Sequence, residues 1–218
     1  METDAYFKSE EGIAEYVRAQ PGNARYNLDM LGLAGIQASD LRGKAVLDVG
    51  CGFGLTLEMF HKEGADCFGT DISKVAVSRC RERFPHIRCE VSDCAKNPFD
   101  ERFSLITSFG TLGLVGKEGH VGFLKMAYGA LESGGILFAN APNAGRPSFM
   151  DALSGKVRSS SYDNARTVPE WKGLLSEAGF RDFSVFPVLR VPKSESIFHK
   201  NVFLRIGTGD PIVIFAKR

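Results

Sequence analysis

Tryptophan occurs once in the 218 residues, and no apolar stretch approaches the ~18 residues that a membrane-spanning helix needs. Excess charge of one sign is missing too. There are 27 Lys and Arg against 26 Asp and Glu, and the basic residues are spread along the chain. That excludes the electrostatic footprint of a nucleic-acid binder and the polybasic patch of a membrane-surface protein. The opening Met1-Glu2-Thr3-Asp4-Ala5 is acidic and has no apolar core, so it does not read as a signal peptide. The five cysteines are odd in number and none stands in a C-x-x-C pair, which suggests neither a disulfide framework nor a zinc site. Cys89 and Cys94 could be argued as a metal pair, but a site needs further ligands. Reduced thiols, no bound metal and a cytoplasmic location are the simple reading.

What the chain does have is a strand that runs into glycines. Val46-Leu47-Asp48-Val49-Gly50-Cys51-Gly52-Phe53-Gly54 is an apolar strand, then glycines on alternate positions, then a helix-like pattern. Without a Cβ, such glycines let backbone N–H groups approach a ligand closely. The helix that follows aims its unpaired N-terminal donors at the same spot. A second strand, Cys67-Phe68-Gly69-Thr70, ends in Asp71-Ile72, with Asp71 placed 21 positions after Gly50. A doubly wound fold presents a carboxylate to ribose hydroxyls at an offset of about 20 residues. The pair points to a nucleoside-containing cofactor, although Asp71 also has the competing reading of a helix cap because Ser73 follows. The dinucleotide fingerprint needs a further glycine or alanine where this chain has Leu55. Asp48, two residues before the first glycine, would also repel a pyrophosphate. A carboxylate there suits a cofactor carrying a cation, such as the ammonium of an amino-acid moiety.

Length allows one large domain with a well-buried core. Residues 1–42 read as an amphipathic helical cap, with Ile13, Val17, Leu28 and Leu31 at helical spacing and a break at Gln20-Pro21-Gly22-Asn23. Residues 43–218 read as the cofactor-binding domain. Strands are expected at Ala45–Val49, Asp66–Thr70, Ile87–Val91, Phe103–Phe109, Ile136–Ala141, Asp182–Val188 and Ile212–Ala216. Helices are expected over Leu55–Lys62, from an N-cap at Ser73 to Phe84, over Val121–Glu132, and from Pro169 to Gly179. This alternation implies parallel β-α-β units with right-handed crossovers. The last strand follows no clear helical crossover, so a hairpin and an antiparallel strand are expected. Between Pro142 and Val168, Gly, Pro, Ser and Asn dominate, with a run at Ser159-Ser160-Ser161; a loop this long is usually functional or mobile.

The glycine segment resembles motif I of the class I S-adenosylmethionine-dependent methyltransferases, in the form V-L-D-V-G-C-G-x-G, and the likeness is to the small-molecule, type 11 branch. Further segments carry the resemblance in the family's order, over roughly residues 40 to 217. Ser92-Asp93-Cys94 matches the segment after the third strand. Leu131-Glu132-Ser133-Gly134-Gly135-Ile136-Leu137 matches the turn into the fifth strand, and Leu174-Leu175-Ser176-Glu177-Ala178-Gly179-Phe180 the entry to the sixth. The resemblance implies an α/β, Rossmann-like fold: a seven-stranded, mostly parallel sheet with helices on both faces and an antiparallel last strand inserted between the fifth and sixth. It implies S-adenosylmethionine as cofactor and methyl transfer to an O, N or C atom of a small molecule. Gly50, Cys51, Gly52, Phe53 and Gly54 would form the loop against the methionine end, with Asp48 acting on the ammonium. Asp71 would hold the ribose hydroxyls and Asp93 the adenine amino group. Ile72 and Cys94 would flank the adenine, with core packing the competing reading. Ser108 and Phe109 would present backbone groups to the methionine part.

No catalytic residue is assigned. His120 lies nearest the expected site, but a solvated loop histidine is the favoured reading, and Leu112-Gly113-Leu114-Val115 stands where many small-molecule relatives carry a histidine. Thr107-Ser108-Phe109-Gly110 is not the [D/N]-P-P-[Y/F] of enzymes that methylate planar amino groups, so the expected partner is a small-molecule acceptor rather than a nucleic acid or a membrane. Tyr6, Tyr16, Phe149 and Tyr162 are candidate pocket walls, and the loop 142–167 a candidate lid. Two rivals remain open: a non-catalytic cofactor-binding partner protein, and an NAD(P)-dependent oxidoreductase.

Overall fold

The strands at the middle of the sheet, Ala45–Val49 and Phe103–Ser108, are short and largely buried runs, as a parallel sheet covered on both faces requires. A computed structural model describes residues 10–144, 163–187 and 212–218. The strands are β1 Ala45–Val49, β2 Asp66–Asp71, β3 Arg88–Val91, β4 Phe103–Ser108, β5 Leu131–Ala141, β6 Asp182–Pro187 and β7 Ile212–Lys217. They pair in the order β3-β2-β1-β4-β5-β7-β6. The β1–β2, β1–β4, β2–β3 and β4–β5 ladders are parallel, and β7 runs antiparallel to both β5 and β6. The seven-stranded, Rossmann-like sheet expected from the sequence is therefore present, its last strand inserted as expected.

Side chains alternate across the sheet. Leu47 and Val49 of β1 face one core with Phe103, Phe123, Leu124, Trp171 and Leu175, under helices α4 (Lys117–Ala130) and α5 (Val168–Ala178). Val46 faces the other core with Met30, Leu31, Leu57, Phe60 and Val77, under α1 (Glu10–Leu33), α2 (Leu55–Lys62) and α3 (Lys74–Arg83). Among the described residues no helix is long and apolar enough to cross a membrane.

Three local expectations need correction. Helix α1 runs without a break through Gln20-Pro21-Gly22-Asn23. An interior proline costs about 3 kcal/mol and a glycine about 1. The buried stripe of Ala24, Asn27, Met30 and Leu31, packed beside α2, outweighs that local cost. Helix α4 starts at Lys117, not Val121, and gives way to strand at Leu131. Gly116 serves as its N-cap, a role glycine fills without side-chain help. Strand β5 begins at Leu131 rather than Ile136, because Glu132-Ser133-Gly134 forms a bulge and not a turn. The register passes from Phe103↔Leu131 to Leu105↔Ile136, with Gly134 at φ +82°. The remaining boundaries lie within a residue or two of expectation; Val188 falls outside the described residues. So do residues 145–162 of the candidate lid, the candidate pocket residues Tyr6, Phe149 and Tyr162, and the side chain of Tyr16.

Candidate functional site

The parallel strands β1, β2 and β4 end at one edge of the sheet, where the strand order reverses and ligands bind in this architecture. The glycine loop is fixed to that edge by backbone bonds. Gly50 N and Cys51 N both donate to Thr70 O, at 2.7 and 3.0 Å, and Gly54 N donates to Cys51 O at 3.0 Å. Gly50 and Gly54 stand at φ +80° and +81°. A Cβ on Gly50 would collide with the Thr111 side chain, which itself donates to Val49 O at 3.3 Å. Glycine is required there twice over, by conformation and by space. Gly54 is the N-cap of α2, which therefore starts at the loop.

Asp71 bridges two elements. Its Oδ2 accepts from Gly52 N and its Oδ1 from Ser73 N, both at 2.9 Å. Ser73 Oγ in turn accepts from Ala76 N at 3.2 Å, so Ser73 is the cap of α3 and Asp71 holds the cap residue. Burial raises the Asp71 carboxyl above its ordinary range, against the lowering effect of these backbone donors. One carboxylate can accept about four hydrogen bonds, so both oxygens keep capacity for further donors.

Asp48 lies one layer below. It is 3% exposed, and Thr107 Oγ1 donates to its Oδ1 at 2.7 Å across the β1–β4 ladder. Burial pushes its carboxyl up to about 7, with the Thr107 bond acting in the opposite direction and the nearby Asp71 adding to the rise. A carboxyl at the base of a glycine loop with its ionised form disfavoured is ready to receive a cation, which would restore the charge.

The remaining expected residues divide. Ile72 is 51% exposed, an unusual setting for a large aliphatic side chain at the carboxyl edge. Asp93 is exposed and its Oδ1 accepts from Ala95 N at 2.8 Å, an ordinary turn contact. Cys94 is half-buried and packs on the α4–α5 core. Ser108 is fully buried and donates to Val49 O at 3.0 Å, and the Phe109 ring packs on Phe138 at 5.9 Å. Both side chains are thus committed inward. Phe53 and Cys51 are likewise buried, so they can offer a ligand only their backbone. Arg25 pairs with Asp29 at 3.4 Å along α1.

His120 is not a solvated loop residue. It sits fully buried in α4, its ring 4.7 Å from that of Trp171. Its Nε2 donates to Leu112 O at 2.9 Å and its Nδ1 accepts from Arg166 Nε at 3.0 Å, so both nitrogens are engaged. Burial pulls its pKa down, which keeps it neutral. Sequence reading missed this because it started α4 four residues too late and left His120 in a turn. It also missed Thr107 as the partner of Asp48; the signal was a hydroxyl near the carboxyl end of the neighbouring strand, as Asp48 is of its own.

The donor set suits a nucleoside cofactor with a cationic tail: a glycine cradle, a strand-end carboxylate with capacity for hydroxyls, an exposed aliphatic side chain and a deep carboxyl. Residues 46–135 match the family described as "Methyltransferase domain". Among curated proteins, the chain is 34% identical over 101 residues to trans-aconitate 2-methyltransferase of Variovorax paradoxus, covering 45% of this chain and 38% of that one. It is 31% identical over 124 residues to ubiquinone biosynthesis O-methyltransferase of Coxiella burnetii, covering 55% and 52%. The chain thus spans about half, or less, of the length of these relatives. A solved structure from Thermotoga maritima, described as an S-adenosylmethionine-dependent methyltransferase and a possible histamine N-methyltransferase, shares the fold. Its TM-score is 0.67 at 24% identity, over 95% of this chain and 97% of that one. In its matched segment, its sheet order and its glycine loop, the chain is similar to the class I S-adenosylmethionine-dependent methyltransferases.

Proposed function

We propose that the protein binds S-adenosylmethionine at this edge and transfers its methyl group to an O, N or C atom of a small-molecule acceptor. The observation that carries the reading is the Asp71 carboxylate fixed between Gly52 N and Ser73 N above the buried Asp48–Thr107 pair. Asp71, already oriented by the two backbone donors, accepts the ribose hydroxyls. Asp48 ionises to meet the ammonium, either directly or through water, with Thr107 holding its rotamer. Ile72 covers one face of the adenine, Asp93 accepts from its amino group, and Cys94 lies near its other face. Gly50 to Gly54, Ser108 and Phe109 line the methionine end with backbone.

When bound, the cofactor supplies a methyl group on a sulfonium, a leaving group good enough that positioning and exclusion of water carry most of the acceleration. His120 takes no part as a base, since Leu112 O and Arg166 Nε occupy its nitrogens. The acceptor therefore arrives as a competent nucleophile or brings its base from another part of the chain. In this reading residues 1–42 are the cap and 43–218 the catalytic unit of a cytoplasmic enzyme that needs no nucleic acid. The curated relatives, named for trans-aconitate and for ubiquinone biosynthesis, support a small-molecule acceptor.

Thermal-shift measurements with S-adenosylmethionine, S-adenosylhomocysteine and NAD, followed by methyl transfer to a metabolite extract, test the reading. Stabilisation by both sulfur compounds and methylation of a small product are expected. Stabilisation by NAD alone would overturn it, and tight cofactor binding with no product from any extract would favour a non-catalytic partner protein.

A further inference from the structure

Three thiols that the proposed methyl transfer does not use meet behind the glycine loop. Cys51 comes from the loop, Cys80 from α3 and Cys89 from β3; all three are buried, and their sulfurs lie within 4.8 Å of one another. Cys80 Sγ and Cys89 Sγ stand 2.6 Å apart, well inside van der Waals contact and about 0.6 Å beyond a covalent S–S bond. Room has been made for the cluster. A Cβ on Gly54 would run into the Cys80 sulfur, and one on Gly69 would come within 2.7 Å of the Cys51 sulfur.

The electrostatics single out Cys80. The Cys51 and Cys89 sulfurs that hydrogen-bond with it, and the nearby Arg81 guanidinium, hold the Cys80 thiol well below the ordinary range. Cys51, as a donor to Cys80 and Cys89 and as a buried group, is pushed well above it. A thiol with a lowered pKa in contact with a second thiol is the arrangement of a nucleophile beside a resolving thiol. Cys89 also lines a surface depression of about 530 Å3 at the β3 edge, with Arg81, Ile87, Arg88 and Phe99.

We propose that Cys80 and Cys89 are a redox-active dithiol that closes to a disulfide on reaction with a hydroperoxide, and that Cys51 couples its state to the glycine loop. The geometry favours this over a metal site. Thiolates sharing one zinc at about 2.3 Å each would stand nearly 4 Å apart, so the pair would have to open by more than twice the distance it must close to form a bond. In the reaction the Cys80 thiolate attacks a peroxide oxygen. An S–O bond forms, the O–O bond breaks, and the departing hydroxide takes up a proton to become water. The Cys89 sulfur then attacks the sulfenic sulfur; its proton and the sulfenic hydroxyl leave together as a second water. Two thiols are oxidised and one hydrogen peroxide is reduced. The disulfide changes the Cys80 and Cys89 sulfurs that Cys51 contacts, and Cys51 lies between Gly50 and Gly52. The coupling to cofactor affinity rests on the reading of that loop as the S-adenosylmethionine site; the dithiol chemistry does not.

The test treats the folded, reduced protein with hydrogen peroxide, quenches and denatures it. Of five thiols, three should remain titratable, the intact mass should fall by two hydrogens, and peptide mapping should join the Cys80 and Cys89 segments. Cys94→Ser should leave that linkage in place; Cys80→Ala and Cys89→Ala should each abolish it. Five surviving thiols, a linkage through Cys94, or stoichiometric zinc or copper in the protein as purified would each overturn the dithiol. Calorimetry with S-adenosylhomocysteine reads the coupling: oxidation should weaken binding about threefold or more, reversibly with dithiothreitol. A disulfide that forms without changing affinity overturns the coupling alone. Failure of the reduced protein to bind either sulfur cofactor would overturn the methyltransferase reading and leave the dithiol standing.

Discussion

Asp48 is a carboxyl held where ionisation is costly, and that fixes the sign of its pH dependence. Its native value of about 7 lies above the 3.8 of an unfolded aspartate. Its contribution to stability is therefore complete below pH ~4 and is lost as pH rises toward ~7, because the native state binds more protons across that window. Asp48→Asn should remove this part of the slope, read as Tm against pH for the two proteins in parallel. A cationic ligand reverses the preference. At pH 6, binding of S-adenosylhomocysteine should release about one proton per site, measured by calorimetry in buffers of different ionisation heat, and affinity should rise from pH 5 to 7. Asp48→Asn should flatten both; proton release unchanged in that variant would place the coupled group elsewhere. Asp71→Ala should lower cofactor affinity by roughly 2 to 4 kcal/mol through the lost ribose acceptor. It should also lower folding stability by about 1–3 kcal/mol, since Gly52 N and Ser73 N both lose their partner; equilibrium unfolding and calorimetry separate the two effects. The sequence alone presents Asp71 as a ribose ligand or a helix cap, and the two backbone bonds add the tie between Gly52 and Ser73. Both acids are legible as strand-end carboxylates at fixed distances from Gly50. Thr107 and the three-thiol cluster are not, because each joins residues from different strands and helices, and only the folded register brings them together.

At the scale of elements, short apolar runs between glycines and prolines marked β1, β2, α2 and α3 to within a residue or two. The failures share one cause, which is that local signals were read as final where tertiary packing decides. Glu132-Ser133-Gly134 has the composition of a turn, yet β5 keeps its ladder through it by bulging. Pro21-Gly22 has the composition of a break, yet α1 continues. That continuity makes a prediction. Pro21→Ala should raise stability by about 1–3 kcal/mol, since it restores a backbone donor inside a standing helix. The measurement is the denaturant midpoint, and a midpoint that does not move would mean that α1 is already divided there.

For the molecule as a whole, ligand and fold should be coupled by mass action. S-adenosylhomocysteine at ~100 times its dissociation constant should add roughly 2.7 kcal/mol, a rise of roughly 5–10 °C in Tm for a chain of this size, with no shift from NAD. Strand alternation made the parallel half of the sheet readable, whereas the position of β7 came from family resemblance, since no local pattern says which edge a last strand will join. That position has a consequence for synthesis. Strand β6 is bonded to β7, and the outer edge of β5 is bonded to β7 as well. While the chain emerges from a ribosome, residues 182–187 are delivered with their ladder partner still missing. The open rim of β5, with Leu137 and Phe138, waits for Ala216 and Phe215. An unpaired apolar rim is what chaperones and proteases recognise. A nascent chain arrested before residue 212 would thus leave that rim exposed to both, and β7 is the seal that closes it.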